Sequence, residues 1–253
     1  MTIAITREIS PRFAECELTH IERTPIDLEL ARAQHRGYVN ALRELGCVVI
    51  ELPAEPDLPD SVFVEDTAII LPEVTVITRP GADSRKPETT SIVQALTPLV
   101  KLIHMREPAT VDGGDVLVLG KRIYVGLSTR SNREAIDQLN EMLGDYEYSV
   151  LGIELHDCLH LKSAVTRVDD QTLLINESWI DASCFENFDL IYIDPSEPHA
   201  ANCLPISESI IFPSAFPKTC EKLGKRGYNV VTVDVSELAK AEGAVTCCSL
   251  IIP

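Results

Sequence analysis

The sequence predicts one α/β domain spanning residues 1–253, built as a five-bladed α/β propeller. Three observations lead there. A unit of strand, tight turn and strand recurs at intervals near 45 residues, helical patterns fall between the copies, and each chain end supplies an incomplete unit. Anchor residues Asp66, Asp115, His160, Asn202 and Cys247 lie 49, 45, 42 and 45 positions apart, the differences between successive residue numbers.

The elements follow in chain order. AITREI (4–9) is an extended segment awaiting a partner. IDLELARAQHRGYVNALREL (26–45) places apolar residues three and four apart, the spacing of one helix face, and the extended CVVIELP (47–53) follows it. DTAIILPEVTVITRPGADSRK (66–86) is the first full copy of the unit, ending in a polar loop. DVLVLGKRIYVGLSTRSNR (115–133) is the second, turning at Gly120-Lys121. The helical NREAIDQLNEML (132–143) and the extended SVLGIEL (149–155) come next. SAVTRVDDQTLLINESW (163–179) turns at Asp169-Asp170, and NCLPISESIIFPSAFPK (202–218) is the fourth copy. The helical PKTCEKLGKRG (217–227) precedes NVVTVDV (229–235). CCSLIIP (247–253) is half a unit, and pairing it with AITREI closes a ring. The hairpin inside each unit argues against an open sheet of βαβ crossovers.

Composition narrows the function. Lys and Arg number 22 against 39 Asp and Glu, a net charge of −17 with no basic block, which disfavours nucleic acid and anionic membrane surfaces as partners. The same excess suits a small cationic ligand. No apolar run approaches the roughly 18 residues of a membrane span. Arg7, Glu8 and Arg12 interrupt the N-terminal segment, which does not read as a signal peptide. Eight cysteines without framework spacing fit a reducing compartment, so the expected location is the cytoplasm. None of them forms a C-x2-4-C pair, and no metal or organic cofactor is expected.

A closed ring turns the start of each unit toward its axis. The residues there are Glu65-Asp66, Asp112 to Asp115, His160, Asn202 and Cys247. Carboxylates, an imidazole and a thiol are a poor composition for a core, because unpaired buried charge is costly. Thiolate is a strong nucleophile, and a nearby imidazolium or bound cation favours it over the thiol. Cys247 and His160 occupy matching unit positions, which makes them the nucleophile and acid/base candidates. A Cys247–Cys248 disulfide would need a strained ring between neighbours. In VDGGD (111–115), two glycines let backbone approach a ligand while Asp112 is free to orient an imidazole or hold a cation. The acids of PDSVFVED (59–66) form a receptor for a guanidinium, whose planar fork of donors pairs with carboxylates. Arg85 and Arg130 each follow the second strand of their unit and suit a carboxylate. A ligand using all these charges is an arginine-like amino acid.

At these residues the sequence resembles the dimethylarginine dimethylaminohydrolase family of the guanidino-group-modifying (pentein) superfamily. The matching segments are LPDSVFVED (58–66), ITRPGADSR (77–85), ATVDGGDVLVLG (109–120), VGLSTRSN (125–132), LHLKS (159–163), AANC (200–203) and TCCSL (246–250). The resemblance implies the five-bladed α/β propeller and hydrolysis of N-methylated arginines to L-citrulline without a cofactor. It implies Cys247 as nucleophile, His160 as general acid/base and Asp112 as the acid that orients the histidine. It further implies Glu65 and Asp66 around the guanidinium, with Phe63 beside them. Asp60 and the backbone of Leu18, on a lid, meet the α-amine, and the position of Ala241 contributes a backbone carbonyl. Arg85 and Arg130 hold the α-carboxylate. Glu242 stands where relatives often carry Asp, and Cys248 has no assigned part. The small molecule is the expected partner of a monomer or homodimer. The alternatives are an arginine deiminase or dihydrolase on the same scaffold, and a non-catalytic binding propeller, for which the axial thiol and imidazole and the acidic surface are wrong.

Overall fold

A computed structural model describes residues 1–253. The chain opens with β1 (Ile3–Arg7), α1 (Leu28–Glu44) and β2 (Val48–Leu52). Next come β3 (Ala68–Ile70), β4 (Thr75–Ile77), α2 (Thr89–Leu96) and β5 (Leu102–His104). They are followed by β6 (Val116–Leu119), β7 (Arg122–Leu127), α3 (Arg133–Leu143) and β8 (Ser149–Glu154). A one-turn α4 (Leu161–Ala164) leads into β9 (Val165–Arg167), β10 (Thr172–Ile175) and β11 (Asp189–Tyr192). The last group is β12 (Leu204–Ile206), β13 (Ser209–Pro213), α5 (Pro217–Lys225) and β14 (Asn229–Val233), then α6 (Ser236–Ala239) and β15 (Leu250–Ile252).

The fold is mixed α/β, with five three-stranded sheets. Four are built alike: the middle strand pairs antiparallel with the strand before it and parallel with the strand after it. In the fifth, β1 is the middle strand, antiparallel to β15 and parallel to β2, with Ile3 opposite Ile252. The two chain ends therefore share a sheet, as expected.

Alternate residues of a strand face opposite sides of its sheet, and here both sides are apolar. Val116 packs with Ile69, Val76, Ile123 and Val125, whereas Leu117 and Tyr124 pack with Val165 and Leu173. Further clusters join Val168 and Leu174 to Ile210 and Phe212, Ile206 and Ile211 to Ala4 and Cys248, and Ile5 and Leu250 to Ala68 and Ile77. Each of the five clusters thus lies between two sheets, and each sheet serves two clusters. The helix α1 is capped by Asp27, whose side chain accepts from the Leu30 amide at 3.0 Å, and buries Ala31, His35, Tyr38, Val39 and Leu42. No helix is long and apolar enough to cross a membrane.

The structure departs from the sequence reading in two places. A 3₁₀ turn at Asp83–Glu88 runs directly into α2, so the predicted polar loop is helical; α2 has eight residues and no side-chain N-cap to announce it. Cys247 is not the first residue of the last strand. It lies in a turn ahead of β15, as Asp66 lies in the 3₁₀ turn Val64–Thr67 ahead of β3. A turn presents consecutive backbone groups and side chains on one side, which a strand cannot.

Gly113 sits where backbones nearly touch. A Cβ there would come 1.9 Å from the Glu65 carbonyl oxygen, whereas nothing lies within 4 Å of a Cβ on Gly37 inside α1. Urea unfolding of two variants should separate these cases. Gly113→Ala is expected to lose about 2–3 kcal/mol by overpacking, and Gly37→Ala to gain about 1 kcal/mol from helix propensity.

Candidate active site

The turns that precede first strands converge on one cleft of about 330 Å³. Its walls include Asp60, Phe63, Asp66, Arg85, Arg130, His160, Ala241 and Cys247, eight of the eleven residues expected from the sequence. Asp112 and Glu65 are buried just behind the wall, at 0% and 7% exposure. Leu18 does not line the cleft: its apolar side chain packs onto the core cluster of Phe13, Cys16 and Phe63, and Glu17 takes the wall position instead.

His160 caps α4, and its Nε2 lies 3.2 Å from Asp112 Oδ2. Asp112 is itself fixed, because its Oδ1 accepts from the Gly81 amide at 2.9 Å. Gly114 must be glycine here, since a Cβ would meet His160 Nδ1 at 2.5 Å. Asp66 accepts from the Gly114 amide at 2.8 Å and from Arg85 Nη1 at 2.5 Å. Asp115 holds the base of the loop, accepting from the Leu161 amide and from Ser128 and Ser131.

These contacts set the charges. Burial alone would strip the proton from His160, but Asp66, Asp115 and Asp112 outweigh it and raise the imidazole to about 9. Burial also opposes the charge of Asp66, yet Arg85 and His160 bring it down to about 2. Asp115 is pushed up to about 6, chiefly by burial. The Cys247 thiol is raised far above its ordinary range by burial, then by Glu65 and Asp66. Its Sγ accepts from the Ala244 amide at 3.4 Å, not from His160. At neutral pH the pair is therefore a thiol and an imidazolium.

Four further residues of the site were given no part in the sequence reading. Glu88 grips Arg85 through Nε at 3.1 Å and Nη2 at 2.8 Å. The remaining Nη2 contacts of Arg85 are the carbonyls of Asp60 and Phe63, so the arginine offers little more than one N–H to the cleft. Lys162 pairs with Glu65 at 2.6 Å, and Thr246 donates to the other Glu65 oxygen at 2.8 Å. Glu242 lines the cleft beside Ala241. Spacing hints at Glu88 alone, three residues after Arg85.

Asp66, Asp112 and His160 present donor atoms within 4.8 Å of one another, a spacing that a metal ion could use. Those donors are committed: Asp66 to Arg85 and Gly114, Asp112 to Gly81 and His160. An imidazole raised to about 9 holds a proton where a metal would need a lone pair.

The fold recurs among solved structures. The N-terminal domain of ArgZ, an arginine dihydrolase from cyanobacteria, superposes with a TM-score of 0.87 over 100% of this chain and 97% of that one, at 17% identity, a likeness of fold. Closer matches set the family. The profile described as "N,N dimethylarginine dimethylhydrolase, eukaryotic" matches residues 20–252. The N(G),N(G)-dimethylarginine dimethylaminohydrolase of Streptomyces coelicolor is 39% identical over 249 residues, covering 98% of this chain and 95% of its own. The Pseudomonas aeruginosa enzyme, solved as a cysteine-to-serine mutant complexed with citrulline, gives a TM-score of 0.94 at 33% identity, with 98% of each chain covered. The chain belongs to the dimethylarginine dimethylaminohydrolase family, whose members are amidinohydrolases.

The imidazolium has a consequence for stability. The folded state binds the His160 proton more tightly than the unfolded chain, whose histidine titrates near 6.5. Its contribution is complete below about 6.5 and is lost as pH rises through about 9. Thermal unfolding of the native protein should show this loss over that window, and His160→Asn should flatten it.

Proposed function

We propose that this protein hydrolyses Nω-methyl- and asymmetric Nω,Nω-dimethyl-L-arginine to L-citrulline, releasing methylamine or dimethylamine. The observation that supports it is a thiol and an imidazole in one cleft whose walls also carry Asp60, Asp66, Arg85 and Arg130. Citrulline in the Pseudomonas aeruginosa mutant, and the adduct of a histidine-to-glycine mutant with S-methyl-L-thiocitrulline, agree with this product and with a covalent route.

The chemistry follows from the charges. A substrate guanidinium, held by Asp66 and Asp112, brings a permanent cation to the thiol and lowers the cost of ionising it. The thiol proton leaves to solvent, and the Cys247 thiolate attacks the guanidinium carbon. His160 gives its proton to the departing amine as the C–N bond breaks, leaving a thiouronium on Cys247. Neutral His160 then takes a proton from water, which adds to the same carbon, and collapse frees the thiolate and citrulline. Asp60 and the backbone of Ala241 meet the α-amine, Arg130 and the free Arg85 N–H the α-carboxylate, and Glu65 braces the floor through Lys162. The backbone of Leu18, on the segment its side chain anchors, also faces the α-amine.

The same reading makes the five sheets blades of one propeller domain over residues 1–253, supported by clusters that link each sheet to two others. Eight free cysteines suit a cytoplasmic setting.

The test is citrulline formation from asymmetric dimethylarginine, monomethylarginine and arginine. The methylated substrates should turn over, and Cys247→Ser should lower kcat by about a thousandfold or more. Preference for arginine would reassign the protein as a dihydrolase or deiminase. A second expectation comes from the raised thiol: a cationic haloacetamidine should alkylate Cys247 faster than neutral iodoacetamide at pH 7, measured by mass spectrometry. Equal rates would count against ionisation assisted by the substrate's charge.

A further inference from the structure

We propose that Glu242 is a positioning residue for this reaction, its carboxylate latching the segment 17–23 over the catalytic cleft. The assignment rests on reading that cleft as the substrate site. Glu242 Oε2 accepts from the Thr19 amide at 2.7 Å and Oε1 from the His20 amide at 2.7 Å. One carboxylate thus binds two consecutive backbone N–H groups, charge-assisted bonds of the stronger kind.

The latch stands on a stiff base. The amides of Ala241 and Gly243 bond to the Leu238 carbonyl at 3.0 Å, and that of Glu242 to Ala239 at 3.1 Å. Glu242, just after α6, takes a left-handed φ of 57°. Gly243 presses on Phe63, whose ring a Cβ would meet at 2.2 Å.

The segment it holds has no regular secondary structure. Its other ties to the cleft are the Glu17 amide on Asp60 at 3.1 Å, Ser84 on Glu17 at 2.8 Å, and Arg130 on Thr19 Oγ1 at 3.2 Å. Asp60 and Arg130 are the groups assigned to the substrate's amine and carboxylate. An amino acid entering the cleft competes for both, and the segment loses those ties as the ligand binds. Glu242 is spared that competition, because its contacts are to the segment alone. It also borders a second, open pocket walled in part by His20 and Ile21.

Glu242→Ala, Glu242→Gln and Glu242→Asp, with Glu22→Gln as a control on the same segment, test this. Amide hydrogen exchange and Cys247 alkylation by iodoacetamide read the segment without substrate; steady-state kinetics on asymmetric dimethylarginine reads its effect. In Glu242→Ala, exchange at Thr19 and His20 and the alkylation rate should rise about tenfold. KM should rise about tenfold, with kcat changing less than about threefold. Glu242→Gln, with one carbonyl acceptor, should be intermediate, Glu242→Asp should recover part of the effect, and Glu22→Gln should match the native protein. Unchanged exchange overturns the latch, and raised exchange with unchanged KM overturns its role in the reaction. If the native protein turns over no methylarginine while exchange and alkylation still rise, the latch stands and the substrate reading fails.

Discussion

The site depends on one buried guanidinium. Arg85 has only 5% of its side chain exposed and lies between Asp66 and Glu88, with the carbonyls of Asp60 and Phe63 on its remaining edge. Two carboxylates in so dry a place would not both stay ionised alone. Burial still pushes Glu88 up to about 7, whereas Asp66 is held near 2. The difference reflects company, since Asp66 also faces His160 and an amide. By binding segments before β3 and after β4 at once, Arg85 fixes the shape of the cleft wall. The carbonyls it draws in belong to the residues that flank the acids.

The rest of the electrostatics follows from the acids that Arg85 leaves uncompensated. Asp66, Asp115 and Asp112 surround His160 and outweigh the burial that opposes its charge, while burial first, and then Glu65 and Asp66, raises the Cys247 thiol. Lys162 answers Glu65 locally. The same carboxylates thus favour both protons, and a cation placed among them would work against both.

Much of this was legible in the sequence, for a physical reason. Strands with two apolar faces read as continuous apolar runs, so VLVL at 116–119 and TLLI at 172–175 stand out, and polar anchors ahead of them stand out equally. Cys247, His160, Asp66 and Asp112 are visible because charge and thiol are out of place beside such strands. What stayed hidden was pairing. Glu88 reads as one of many surface acids until its helical turn sets it against Arg85, and Lys162 reads as a solvated lysine until Glu65 is found 2.6 Å away. The helix α2 was missed because it continues a 3₁₀ turn, so no cap marks its start. Leu18 was expected at the ligand through its backbone, on the resemblance; its side chain packs onto the apolar core.

Why the polar anchors sit in turns and not in strands follows from what each can hold. A strand's backbone is committed to its neighbours, and its side chains alternate between faces. A turn leaves amides free: Gly114 donates to Asp66, Gly81 to Asp112, Leu161 to Asp115 and Ala244 to Cys247. Three of those amides stabilise negative charge that Lys and Arg are too few to neutralise, and the fourth touches the sulfur directly. Backbone N–H groups cannot leave, titrate or reach for solvent as lysines do. An acidic protein can therefore keep a dense carboxylate cluster ordered and still keep it short of one cation.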